Sequence, residues 1–257
     1  MSDQKRPVAI VTGGRRGIGL GIAKALALDG FDVALTGIGE ADQVRSVLED
    51  LAALGAKAIF LKADLSDLAG HQATVEAVLA AFGSIDCLVN NAGMASVVRG
   101  DFLDLLPENF DAIVATNLRG TVFFTQAVVR AMLAAPSSGP RSVINITSVS
   151  AVMSSPERMD YCMTKAGLAS FSQGLALRLA ETGIAVFEVR PGIIRSDMTA
   201  TVSDKYDGLI EAGLVPMKRW GEAQDIGAMV SALASGRFGF ATGSVINADG
   251  GLSIGRL

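Results

Sequence analysis

Val8-Ala9-Ile10-Val11-Thr12-Gly13-Gly14-Arg15-Arg16-Gly17-Ile18-Gly19 is the stretch that decides the fold. A short β-branched run enters a glycine-rich turn, and apolar residues at helical spacing then continue to Leu28. Glycines in such a turn let the backbone bend sharply, approach a pyrophosphate closely and seat the helix against the strand. The first turn of that helix offers unpaired N–H groups and a positive dipole end to phosphates. The spacing is Gly-x-x-x-Gly-x-Gly, not the commoner Gly-x-Gly-x-x-Gly.

The same alternation repeats along the chain. Val8–Val11, Asp32–Thr36, Ala58–Leu61, Cys87–Val89, Val143–Thr147, Ala185–Val189 and Ser244–Ala248 read as strands. Ile18–Leu28, Ala41–Leu54, Thr74–Phe82, Phe110–Leu133, Tyr161–Glu181 and Glu222–Ala234 carry apolar residues at helical spacing. The strands lack clean in-out alternation, as strands buried on both faces do. The pattern predicts an α/β fold: one doubly wound Rossmann sheet of about seven parallel strands, with helices on both faces. Pro136-Ser137-Ser138-Gly139-Pro140 reads as a surface turn too short to separate domains, so residues 1–257 are expected to form one domain. The longest stretch without a secondary-structure signal, 193–221, follows a strand end, where open α/β sheets place ligands. It is expected to be a substrate cover.

Composition narrows the chemistry. With 257 residues, half of them hydrophobic and 19% charged, the chain is no disordered protein. The net charge of −4 supplies no basic field for nucleic acid or anionic membrane. Two cysteines, Cys87 and Cys162, make neither a disulfide framework nor a zinc site, and no metal is expected. Met1–Pro7 has no signal-peptide pattern and no run approaches a membrane span, so a soluble cytoplasmic protein is expected. The single histidine, His71, reads as a solvated residue at a helix start, so the acid or base of any reaction lies elsewhere.

Tyr161-Cys162-Met163-Thr164-Lys165 supplies that group. Four residues apart on a helix, Tyr161 and Lys165 share a face. A free tyrosine titrates near ~10, too high to cycle protons readily at neutral pH, and a nearby ammonium lowers it. Ser148, at the end of the fifth strand, has a hydroxyl suited to bond a reacting carbonyl oxygen. Asn90-Asn91-Ala92-Gly93 reads equally as a close ligand contact or a plain turn. NAD binders place an acid on the ribose at the end of the second strand. That place holds Thr36-Gly37-Ile38-Gly39, with no carboxylate before Glu40, while Arg15 and Arg16 are available to a 2′-phosphate. Both features favour NADP(H) over NAD(H).

These motifs, in this order, resemble the short-chain dehydrogenase/reductase family over nearly the whole chain, most closely its 3-oxoacyl-ACP reductase-like members. The resemblance implies that Asn117, Ser148, Tyr161 and Lys165 are catalytic. Tyr161 protonates the carbonyl, Ser148 orients it, Lys165 holds the nicotinamide ribose and depresses the tyrosine, and Asn117 positions a relay water. It implies a cofactor-binding set of Gly13, Arg15, Arg16, Gly17, Ile18, Gly19, Ile38, Asp64, Leu65, Asn91, Ala92, Gly93, Tyr161, Lys165, Pro191, Gly192, Ile194 and Ser196. Asp64 would read the adenine, and Ser196 stands where the family has a threonine on the nicotinamide amide. Three residues between tyrosine and lysine resemble the carbonyl reductases, whereas enoyl reductases commonly have six. The resemblance also implies a homotetramer. An acyl carrier protein is an implied partner, but the acidic pI and the sparse basic residues near Arg141 weigh against it.

The expected pocket lining, 94–99, 149–158 and 193–220, contains Met94, Met153, Met198, Met217 and Trp220. Arg99, Arg158 and Arg195 either meet a carboxylate or phosphate tail or face solvent. The reading is NADPH-dependent reduction of a ketone, foremost a 3-oxoacyl thioester. The alternatives are an NAD(P)-linked alcohol, polyol or sugar dehydrogenase, and a non-catalytic dinucleotide-binding regulator.

Overall fold

The central strands of the chain are apolar on both faces because helices cover both. The computed structural model describes residues 6–135, 139–200 and 203–256; most of the turn expected at 136–140 lies outside them. The strands are β1 (Val8–Thr12), β2 (Asp32–Gly37), β3 (Ala58–Lys62), β4 (Cys87–Asn90), β5 (Arg141–Ile146), β6 (Ile184–Pro191) and β7 (Val245–Ala248). They form one sheet in the order β3-β2-β1-β4-β5-β6-β7, with every pairing parallel. The order reverses between β1 and β4, and ligands bind at such a switch point, beyond the carboxyl ends of the strands.

Two apolar layers flank the sheet. Ala9, Val11, Phe187 and Val189 point toward α1 (Gly17–Leu28), α2 (Arg45–Ala53) and α9 (Ala223–Ala234). Val8, Ile10, Ile184 and Val186 point toward α3 (His71–Phe82), α5 (Thr121–Ala134) and α6 (Met159–Leu179). α4 (Pro107–Val114) joins α5 through a π-helical turn, Ala115–Gly120. The continuous run Pro107–Ala134 is long and apolar enough to cross a membrane. Here its Phe124, Val128, Val129 and Met132 are buried against the sheet.

Two expectations are corrected. His71 starts α3 but is buried: its Nε2 lies 3.0 Å from the Leu65 carbonyl oxygen, and its ring meets Phe124 edge-on. The polar neighbours that suggested solvent lie on the outer face, and the loop before α3 covers the ring. The stretch 193–221 is not irregular. It contains α7 (Asp197–Ala200) and α8 (Ser203–Glu211), and a small core of its own from Ile210, Val215 and Trp220. Its ends are joined by a parallel bridge between Ile194 and Gly221.

Candidate active site

The turn after β1 is built to leave backbone N–H groups open. Gly13 takes φ +66°, and a Cβ on Gly19 would stand 2.3 Å from the Gly13 carbonyl oxygen, so only glycine lets α1 start there. α1 has no side-chain cap and no acid in its first turn, which leaves its N-terminal donors free for an anion. The Asn91 side chain closes the turn from β4, donating to the Thr12 carbonyl oxygen at 2.9 Å. Thr12, which carries no signal in the sequence, is the hub: its hydroxyl accepts from the Asn91 and Ala92 backbones at 3.0 Å each. A cavity of about 600 Å³ opens beside this helix start, with Gly17 from the turn and Ser196 from the segment 193–221 in its wall. These features fit the pyrophosphate of a nicotinamide dinucleotide.

The two arginines of the turn diverge. Arg15 lies over Gly39 beyond β2, and its Nη1 donates to Gln43 Oε1 at 3.4 Å. Arg16 instead pairs with Asp197 of α7 at 2.9 Å, so it ties the glycine turn to the segment 193–221. Glu40, the first acid after β2, is taken by Lys62. Among the expected adenine-side residues, Asp64 is exposed and holds its own turn through Ser66. Leu65 is buried and Ile38 is exposed. At the expected nicotinamide end, Gly192 lies so close to Asp249 that a Cβ would meet that side chain at 2.7 Å. Ile194 is buried, and the Ser196 N–H donates to Thr199 at 3.0 Å.

The four expected catalytic residues converge from three elements. Tyr161 and Lys165 lie one turn apart on α6, and the Lys165 Nζ is 5.7 Å from the tyrosine ring centroid. Ser148 follows β5, where its hydroxyl accepts from the Ser150 N–H at 3.0 Å and lowers the phenol of nearby Tyr161. Asn117 lies fully buried in the π-helical turn, where its side chain accepts from the Met94 N–H at 2.8 Å and donates to the Met94 carbonyl oxygen at 2.9 Å. Gly93 sits between: a Cβ there would be 3.2 Å from Asn117 Oδ1 and 3.7 Å from Lys165 Nζ.

A family model described as Enoyl-(Acyl carrier protein) reductase matches residues 13–253. The chain belongs to the short-chain dehydrogenase/reductase family. It is 37% identical over 246 residues to the 3-oxoacyl-(acyl-carrier-protein) reductase FabG of Staphylococcus epidermidis, covering 95% of this chain and 98% of that one. A crystal structure of 3-oxoacyl-(acyl-carrier protein) reductase from Brucella melitensis in complex with NAD superposes at a TM-score of 0.97. It shares 66% identity over 99% of this chain and all of that one. A single-residue variant of actinorhodin polyketide ketoreductase with NADPH superposes at 0.90, with 31% identity over 99% of this chain and all of that one. Like these relatives, the chain is an NAD(P)-dependent oxidoreductase acting on CH–OH or C=O groups.

Electrostatics within this short-chain reductase site are set by burial. Burial pushes the Tyr161 phenol above its ordinary value, while the Ser148 bond and the Arg158 and Arg99 charges pull it down. Burial lowers Lys165 to about 8, and the Glu188 carboxylate opposes that. Lys165 thus releases its proton more readily than a free lysine. Its Nζ donates to the Ile146 carbonyl oxygen at 3.0 Å.

Glu188 belongs to a network that sequence reasoning misses. It lies on β6 with Arg190, on the sheet face toward α6, and is 1% exposed. The guanidinium grips its carboxylate through Nε at 2.7 Å and Nη2 at 3.2 Å, and the Thr147 hydroxyl donates to it at 2.7 Å. The network clamps the ends of β5 and β6 immediately before Ser148 and the Pro191-Gly192 turn. Its sequence signal is two opposite charges, two residues apart, inside an otherwise apolar strand. Of the other expected lining residues, Trp220 is buried and donates to Asp207 at 2.6 Å. Arg195 stacks on Trp220 and pairs with Glu222, so it is no free anion binder. Met94 is half-buried, and Met153 and Met217 are exposed; the Met198 side chain lies outside those described. Among the described residues, no three His, Cys, Asp or Glu side chains gather as for a metal.

Proposed function

We propose that the chain reduces the ketone of a 3-oxoacyl thioester to a secondary alcohol with NADPH, Tyr161 delivering the proton. The observation that carries this reading is the convergence of Tyr161, Ser148, Lys165 and Asn117 around Gly93, next to a turn shaped for a dinucleotide. The dinucleotide, when bound, supplies the hydride. Ser148 and Tyr161 hold the carbonyl oxygen by hydrogen bonds that strengthen as negative charge develops on it. The phenol then gives up its proton to that oxygen. Lys165 stands one helical turn away as the next proton source, and Asn117 fixes the Met94 backbone beside it. The segment 193–221 covers the substrate, with the Arg16–Asp197 pair tying it to the glycine turn.

NADPH is favoured because no acid stands free at the end of β2 and Arg15 lies over that place. A second reading, an NAD-linked dehydrogenase of alcohols, polyols or sugars, draws on the NAD in the Brucella melitensis structure. We place the protein in the cytoplasm as a homotetramer, a reading supported by its family and by exposed Phe123, Leu177 and Phe240. The names of the relatives point to an acyl carrier protein as bearer of a thioester substrate, and the acidic chain with its few basic residues near Arg141 weighs against that partner. The test is oxidation of NADPH and NADH, in parallel, by a short 3-oxoacyl thioester. Oxidation confined to NADPH supports the reading, and turnover of sugars or polyols with NAD alone supports the second. Cofactor binding with no turnover of any carbonyl would leave only a dinucleotide-binding regulator.

A further inference from the structure

Two loops are clasped together beside Tyr161. The Ser96 hydroxyl, after β4, donates to Asp160 Oδ1 at 2.6 Å, and the Gly100 N–H donates to the Glu157 carbonyl oxygen at 3.3 Å. Arg99 and Arg158 each neighbour a residue of the second clasp, so two different loops bring the backbones of two arginines together beside Tyr161. The Arg158 guanidinium carbon lies 5.4 Å from the Tyr161 ring centroid, and both charges act on the phenol.

Neither cation lies within ion-pair distance of a carboxylate among the described residues. The Arg158 guanidinium donates from Nε to the Ser155 hydroxyl oxygen at 3.4 Å. In a chain of net charge −4 there is no shortage of acids to pair them. Two like charges held near each other repel, and an anion placed between them removes that cost. The planar guanidinium fork matches a carboxylate or a phosphate, and bonds of this kind are the stronger class.

We propose that Arg99 and Arg158 form an anion-binding mouth, and that the ketone substrate carries a carboxylate or phosphate that docks there while its carbonyl meets Tyr161. The proposal rests on the ketone-reductase reading above and adds a charge requirement to it. A substrate of this class is selected against its neutral analogue by loss of the charge-assisted bonds alone.

The test compares two matched pairs of probes on the full-length protein. The first pair is acetoacetyl-coenzyme A, which carries phosphates, and neutral acetoacetyl-N-acetylcysteamine. The second is acetoacetate and its methyl ester. In the Arg99→Gln/Arg158→Gln double variant, the anionic-over-neutral ratio of kcat/KM is expected to fall roughly ten- to a hundredfold in one pair. Loss in the coenzyme A pair assigns a phosphate, and loss in the acetoacetate pair a carboxylate. Ratios equal to wild type in both pairs overturn the proposal and leave the reductase reading intact. Titration calorimetry with coenzyme A and with acetoacetate reads the same mouth without turnover. Binding lost in the double variant supports it, and binding unchanged in the variant, or absent from wild type, overturns it. Wild type that binds an anion through these arginines yet reduces no ketone contradicts the reductase reading alone.

Discussion

Gly19 illustrates how a single missing side chain shapes the site. A methyl group there would meet the Gly13 carbonyl oxygen at 2.3 Å and the Asn91 amide at 2.6 Å. Gly19→Ala must push the turn off its course, since overpacked positions yield through backbone shifts. Dinucleotide affinity, measured by fluorescence titration, is expected to fall at least about tenfold, against the roughly 1–3 kcal/mol that overpacking costs. An unchanged affinity would contradict the assigned cradle. Residues such as Tyr161, Lys165 and Ser148 are legible in the sequence because their chemistry depends on local spacing and strand-end position. Asn117 is legible only through the family resemblance, since its partner Met94 is distant in sequence. The burial of His71 is hidden for the same reason: the Leu65 carbonyl and Phe124 ring that cover it belong to other segments.

Strands and helices are legible where burial is two-sided. The five central strands declare themselves as short apolar runs because both of their faces are buried. The helix α8 does not, since it is largely polar, contains Gly208 and buries only Ile210. The Glu188–Arg190 pair is hidden too, because charges inside a strand give no account of their partners. It carries a prediction at this scale. Burial lowers Lys165 to about 8, and the Glu188 carboxylate favours its charged form. Glu188→Gln removes that support, so Lys165 loses its proton at lower pH. The alkaline limb of kcat/KM, which reports groups of the free enzyme, is expected to move to lower pH. A variant that loses activity equally at every pH would show the network to be a strand clamp only. Glu188→Ala leaves the guanidinium unpaired and is expected to cost roughly 3–5 kcal/mol in urea unfolding, as broken buried pairs do.

Across the whole molecule, the sheet's switch point gathers groups from remote segments beyond the strand ends: the glycine turn, the Asn90–Gly93 turn, Ser148, α6 and the segment 193–221. The cofactor prediction belongs here, because it depends on what surrounds the end of β2. Arg15 lies over Gly39, and Glu40 is committed to Lys62. Arg15→Glu is expected to lower kcat/KM for NADPH at least about tenfold, on the scale of a lost charge-assisted bond, and to spare NADH. An equal loss with both cofactors would remove Arg15 from the 2′-phosphate. The central claim is that Tyr161 delivers a proton to a ketone. Its most direct measurement is the turnover of Tyr161→Phe, followed by reduced-nicotinamide absorbance with a short 3-oxoacyl thioester, alongside cofactor affinity. A fall in turnover of roughly 10²–10⁴-fold with affinity within about twofold is the predicted result. Turnover equal to wild type would contradict the account.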